Sequence, residues 1–247
     1  MSDSPLSKNQ VKKAAKRERL AEKYRQMKLQ KKTEKGAEGK EPSSCSQIRQ
    51  ERHAMFKAEY DSKTMDGPTI LIDCDWGNKM SEREILSLTQ QIMYSYGANK
   101  RAQKPARLCI AGVDAELETL VKKLPGFDNW GVKLTRETLA EMDLPGACYL
   151  TADTEHCLDA NLINKDSILV IGGLVDRNRY KNATVIRADT LGMNTAQLPI
   201  AEFMPMKTSR VLTVNHVVEI LLEVSDHKDW KRALDAVIPD RKKVVDS

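Results

Sequence analysis

From Thr69 onward, short apolar runs alternate with stretches of helical periodicity, and that alternation narrows the fold more than any other feature of the chain. Thr69–Cys74 (TILIDC), Arg107–Ala111, Ala147–Thr151 (ACYLT) and Ser167–Ile171 (SILVI) read as buried strands, joined by Trp130–Leu134, Thr184–Arg187 and Ala196–Ile200 as shorter ones. Between them lie helical patterns. Ser81–Tyr96 carries Ile85, Leu88, Ile92 and Tyr96 on one face and opens with a capping box, Ser81 with Glu84. Asp114–Leu124, Thr135–Met142, Asn215–Glu223 and Lys228–Val237 are the other helices expected. Strands fed by helices form a parallel sheet covered on both faces, so the fold class is α/β.

The first 60 residues have a different texture. They hold sixteen Lys/Arg against eight Asp/Glu, a net of +8, while the rest of the chain holds 24 against 27, a net of −3. Residues 6–35 read as a charged helix, Gly36 to Ser44 interrupt it, and 46–60 form a second short helix. A basic arm over residues 1–66, with few large apolar groups to bury, suits a polyanion, which it binds by releasing counterions. The folded domain then spans residues 67–247.

Several classes are disfavoured. No run of eighteen apolar residues occurs, so no membrane span is expected, and the N-terminus has neither the apolar core of a secretory signal nor the acid-poor composition of a transit peptide. The five cysteines form no CxxC pair and the four histidines show no ligand spacing, so no metal site is expected and the thiols read as reduced. No GxGxxG follows a strand and no GxxxxGK[ST] is present, which removes the dinucleotide and P-loop fingerprints.

The most informative stretch is Ile171-Gly172-Gly173-Leu174-Val175-Asp176-Arg177-Asn178-Arg179. Glycines directly after a buried strand allow close backbone approach, and an acid three residues later is presented at the carboxyl edge of the sheet, where open α/β folds place their ligands. Taken alone, the same pattern also describes a tight turn with a solvated Asp.

Its context is more specific. Tyr149-Leu150-Thr151-Ala152-Asp153 lies upstream, and Gln197-Leu198-Pro199-Ile200-Ala201-Glu202-Phe203, Arg210-Val211-Leu212-Thr213-Val214-Asn215-His216-Val217, Asp229-Trp230-Lys231 and Ile238-Pro239-Asp240-Arg241-Lys242 lie downstream. Together with Ile72-Asp73-Cys74, Met80, Ser87-Leu88, Gln91, Tyr96, Asn99-Lys100-Arg101 and Pro105, these blocks resemble the tRNA position-nine N1-methyltransferase family of the SPOUT superfamily over residues 69–242.

The resemblance implies a mostly parallel sheet with a C-terminal trefoil knot, S-adenosylmethionine as cofactor and tRNA as substrate. It implies a monomer, and residence in the nucleus, the cytoplasm or both. Three loops would cradle the cofactor, carried by Leu150 and Thr151, by Gly172, Gly173, Asp176, Asn178 and Lys181, and by Leu212, Thr213 and Asn215, with Leu198 beside them. Asp176 takes the general-base position, because guanine N1 carries a proton that must leave before it can accept a methyl group. Asp73, Arg83, Gln91 and Lys100 fall where the family places polar or basic residues for tRNA and active-site contacts, Arg83 replacing a common lysine. Arg101 and, beside the general base, Arg177 and Arg179 are further candidates to meet the substrate. Histidines found in the Asp176 loop of some members are absent, and His216 reads as a core histidine. Methylation of guanine N1 is the expected activity. Adenine or dual specificity, and a catalytically silent tRNA-binding member, remain alternatives.

Overall fold

The computed structural model describes residues 54–55, 58–177, 179–204 and 211–239. The helices expected at 6–35 and, in its first part, at 46–60 lie outside the described residues, as does most of the 1–66 arm. The described chain belongs to one compact unit beginning at Ala54.

Six parallel strands form the sheet: β1 (Thr69–Asp73), β2 (Arg107–Ala111), β3 (Lys133–Leu134), β4 (Cys148–Leu150), β5 (Ile168–Gly172) and β6 (Asn194–Ala196), in the order β3-β2-β1-β5-β4-β6. Alternation along each central strand divides the core. Ile70 and Ile72, with Leu108, Ile110, Leu169 and Ile171, face one side, while Leu71, Cys109 and Val170 face the other with Tyr149. The first side is covered by α1 (Glu82–Asn99), α2 (Ala115–Lys122), α5 (Val214–His227) and α6 (Trp230–Val237). The second side is thinner, closed by Trp76, Leu139 and Ala188 of α3 (Ala183–Thr190). The short α4 (Ile200–Phe203) follows β6.

The capping box read at Ser81 and Glu84 is present, and two further helices start on aspartate caps. Ser81 and Glu84 form the capping box of α1, Asp114 accepts the Leu117 amide at 2.7 Å to start α2, and Asp229 accepts that of Arg232 at 3.0 Å to start α6. Residues 58–64 are helical, and Tyr60 is buried in the first-side core, where its hydroxyl accepts the Asn99 side-chain amide at 2.6 Å.

Four expectations are corrected. Thr184–Arg187, expected as a short strand, lies inside α3, because parallel strands β5 and β6 need a crossover between them. Thr135–Met142 is not helical: Thr135 and Gly112 instead exchange backbone bonds with Ile110 and Glu137, and Thr138 gives its amide and hydroxyl to Glu141. The strand expected over Ala196–Ile200 is Asn194–Ala196, since Pro199 has no amide to continue a ladder and Ile200 begins α4. The strand at Trp130–Leu134 shrinks to Lys133–Leu134 at the sheet edge.

Candidate active site

The strand order reverses between β1 and β5, which are in register so that Asp73 stands opposite Gly172. Crevices of this kind, at the carboxyl ends of parallel strands, are where open α/β sheets bind ligands. The two strand ends next to this point are built differently.

At the end of β1 the interior is sealed. Asp73 is 0% exposed, and its carboxylate accepts bonds from Arg187 Nε and Nη2, from the Tyr149 hydroxyl at 2.9 Å and from the Asp75 amide at 3.2 Å. Arg187 also reaches Asp75 at 3.0 Å and lies 5.4 Å from the centre of the Trp76 ring, whose indole N–H donates to Asp73 O. Burial pulls the Arg187 guanidinium toward neutrality, but the carboxylates of Asp73 and Asp75 outweigh it and hold the group firmly protonated. Burial and then the Asp73 charge push the Tyr149 phenol well above its ordinary range, so it keeps its proton and donates a hydrogen bond to Asp73.

At the end of β5 the chain opens into a cleft of about 160 Å³. Its walls come from the end of β4 (Leu150–Asp153), from Ile171, Gly172 and Leu174, from Gln197, Leu198 and Ile200, and from Val211, Leu212 and Val217. Thr184 meets Thr151 hydroxyl to hydroxyl at 2.7 Å on one wall. Asp176 and Tyr180 also line it: Asp176 is buried and its carboxylate accepts the Tyr180 amide at 2.7 Å, while Tyr180 is exposed at the rim. Arg179 is fixed beside them by Glu84 at 3.2 Å and by Lys79 O at 2.9 Å.

The composition of this lining decides what it can hold. Among the described residues it contains no Lys or Arg, while it has two acids, Asp153 and Asp176, and mostly aliphatic walls. Phosphates are ordinarily held by basic side chains, a glycine-rich nest or a helix start. This cleft instead suits a nucleoside that is neutral or positively charged. Among the described residues there is no group of three or more His, Cys, Asp or Glu able to hold a metal ion, and no helix is long and apolar enough to cross a membrane.

Of the residues expected to bind a cofactor, Leu150, Thr151, Gly172, Asp176, Leu198 and Leu212 line the cleft. Gly173 does not. It packs under β1, donating to Asp73 O at 2.7 Å. Thr213 is exposed at the start of α5 and donates to the Asn215 side chain at 2.8 Å, while Lys181 is exposed away from the lining. Asn178 lies outside the described residues. Of the residues expected to meet tRNA, Arg83, Lys100, Arg101, Arg177 and Arg179 are exposed. Asp73 and Gln91 are not. Asp73 is sealed as described, and buried Gln91 accepts the Val214 amide at 2.9 Å, an otherwise unpaired donor of the first turn of α5. Both hold the walls of the site instead of facing solvent. Sequence reading missed Thr184, Tyr180 and Arg187. Thr184 and Arg187 were hidden by the strand assignment, whereas Tyr180, four residues beyond Asp176 in a tight loop, could have been found by its spacing.

A largely aliphatic cleft with two carboxylates in its lining, at the carboxyl edge of a parallel sheet, defines an α/β ligand-binding domain. The family model of the tRNA (guanine(9)-N(1))-methyltransferase TRM10/TRM10A matches residues 4–243, and the chain belongs to that family. It is 37% identical over 183 residues to the tRNA (guanine(9)-N1)-methyltransferase of Kluyveromyces lactis, covering 73% of this chain and 61% of that one. It is 34% identical over 179 residues to human tRNA methyltransferase 10 homolog A, covering 71% and 52%. The chain thus spans between about half and three fifths of the length of these relatives. The crystal structure of full-length spTrm10 in complex with SAH aligns with a TM-score of 0.65 and 32% identity over 71% of this chain and 95% of that one. A Trm10 of dual specificity from Thermococcus kodakaraensis, at 17% identity and a TM-score of 0.55 over 69% and 99%, shares the fold.

Proposed function

We propose that this protein transfers a methyl group from S-adenosylmethionine to N1 of guanine at position nine of tRNA. The observation that carries the proposal is the lining of the cleft. Its aliphatic walls and two carboxylates, with no basic side chain among the described residues, match an uncharged adenosine joined to a cationic sulfonium. The SAH bound by spTrm10 is the demethylated form of that molecule and supports the same reading.

Leu150, Ile171, Leu198 and Leu212 would pack on the adenine, and Thr151 and Thr184 offer hydroxyls beside it. When bound, S-adenosylmethionine supplies an electrophilic methyl group. Asp176, in the lining, takes the N1 proton of guanine on its carboxylate, and its bond from the Tyr180 amide fixes where that carboxylate stands. Positioning of the two reactants supplies much of the remaining acceleration.

The basic first 60 residues would grip the tRNA backbone, which lets a monomer suffice. The trefoil knot of the family, formed by the segments that close round the cleft, belongs to the same proposal, as does residence in the nucleus, the cytoplasm or both. A mass-spectrometric map of mixed tRNA, with and without the protein and S-adenosylmethionine, tests the assignment. N1-methylguanine at position nine is the expected product. No new methyl group at that position would sink the proposal, and N1-methyladenine there would move its specificity to the other purine.

A further inference from the structure

A base whose N1 is to react must leave its stack, and a protein that extracts a base usually gives it another flat surface to lie on. Trp76, the nearest indole, is buried beneath the cleft and occupied by the Asp73–Arg187 cluster. Among the described residues Tyr180 is the aromatic one in the cleft lining, and it stands at the rim with its side chain accessible, the residue being 37% exposed.

Its surroundings are those of a fixed plate. The guanidinium carbon of Arg179 lies 4.9 Å from the centre of the Tyr180 ring, close enough for a cation–π contact. That guanidinium is itself tied to Glu84 and Lys79 O, and Glu84 is held in the capping box that starts α1. The ring is thus backed by a cation anchored to the scaffold. At its other end, the Tyr180 amide is bound by the Asp176 carboxylate at 2.7 Å, so ring and carboxylate belong to one tight turn.

We infer that Tyr180 is the stacking platform for the target purine, which lies against the ring while Asp176 meets its reacting edge. The inference rests on the methyltransferase reading and adds a residue that contacts the substrate. The aliphatic walls deeper in the cleft already provide faces for the cofactor's adenine, which leaves the rim to the second base. Stacking is tolerant of base identity, so the platform favours purines for their larger area and leaves the choice between guanine and adenine to edge contacts.

The test uses the full chain, wild type and the variants Tyr180→Phe and Tyr180→Ala, with tRNA transcripts carrying guanine or 2-aminopurine at position nine. Because the side chain is accessible at the rim, both variants should fold. Tyr180→Ala is expected to lower single-turnover methyl transfer at subsaturating tRNA by about ten- to a hundredfold, the range of one lost base–aromatic stack. Tyr180→Phe should retain the wild-type rate, and S-adenosylmethionine affinity by calorimetry should be unchanged in both. With SAH present, 2-aminopurine fluorescence should be quenched by wild type and Tyr180→Phe but not by Tyr180→Ala, a readout that a merely structural tyrosine would not move.

Wild-type rate and quenching in Tyr180→Ala would overturn the inference. So would a loss of S-adenosylmethionine affinity in that variant, which would give the ring to the cofactor, or a Tyr180→Phe defect equal to that of Tyr180→Ala, which would give the role to the hydroxyl. The quenching needs no turnover. A wild-type protein that quenches yet transfers no methyl would therefore retain the platform and overturn only the reaction, and one that does neither would overturn both.

Discussion

The ends of β1 and β5 lie side by side in register, Asp73 opposite Gly172, and their carboxylates meet opposite fates. Asp73 ends its strand buried among Arg187, Tyr149 and the Asp75 amide, every partner a fixed protein group. Asp176 follows its strand by four residues and, though buried, lines a cleft, its carboxylate held by the Tyr180 amide. One acid is closed in by protein groups, the other borders the cleft. The contrast teaches that an acidic residue at a strand end in this fold is not by that fact a site residue. What surrounds it decides: Asp73 meets a cation from α3 and a phenol from β4, whereas Asp176 follows a glycine pair in the lining of the cleft.

Asp176→Asn should give the largest effect, on the rate far more than on stability. Loss of a general base lowers rates by about 10²–10⁴-fold. The amide is nearly isosteric, so cofactor and tRNA affinities should change far less than single-turnover methyl transfer. Adenine at position nine supplies a control, since its N1 carries no proton to remove, and any activity on it should fall less. Equal small losses on both purines would make Asp176 a positioning group and blur the contrast with Asp73.

Arg187→Met should show the reverse profile. Removing one partner of a buried pair strands the other charge, which costs about 3–5 kcal/mol, and urea denaturation should register it. Adding Asp73→Asn to that variant should recover part of the loss, because no unpaired charge would remain. If Arg187→Met denatures like wild type, the sealed end of β1 is less sealed than its geometry indicates.

The sheet was legible where burial leaves a continuous apolar run, as in TILID and SILVI, and α1 where a capping box precedes a one-sided stripe. It failed at Thr184–Arg187, because local propensity is weaker than the need for a crossover between parallel strands, and at Thr135–Met142, because turn bonds to β2 displaced the helix. The open side of the site was readable because a short motif places its glycines and Asp176 within a few residues, and the resemblance added the other loops. The closed side was not: Asp73 and Arg187 are 114 residues apart, and nothing in either neighbourhood names the other. Gln91 shows the same limit, since its partner, the Val214 amide, is 123 residues away.

The glycine pair gives the smallest and finest test, because Gly172 and Gly173 sit on either side of the boundary between the two ends. Neither has positive φ, so backbone conformation does not require glycine at either place, and only the space around each matters. A Cβ on Gly173 would come within 2.8 Å of Asp73 O, with the Cys74 sulfur and the Ile72 Cγ2 at 3.1 Å. The nearest of these is backbone in a central strand that also accepts the Gly173 amide, so it cannot withdraw without loosening the β1–β5 junction. Gly173→Ala should therefore lower stability by about 1–3 kcal/mol, the cost of overpacking an interior. A Cβ on Gly172 would instead meet the Thr184 Cγ2 at 2.9 Å and the Trp76 Cζ2 at 3.2 Å, both side-chain atoms. Thr184 can turn aside, but turning moves its hydroxyl from Thr151 on the cleft wall, so Gly172→Ala should weaken S-adenosylmethionine binding more than it weakens the fold. Denaturation and calorimetry on the two variants should thus give crossed results, stability falling further in Gly173→Ala and affinity further in Gly172→Ala. The same ranking in both measurements would mean that the border between scaffold and cleft does not fall between these two adjacent residues.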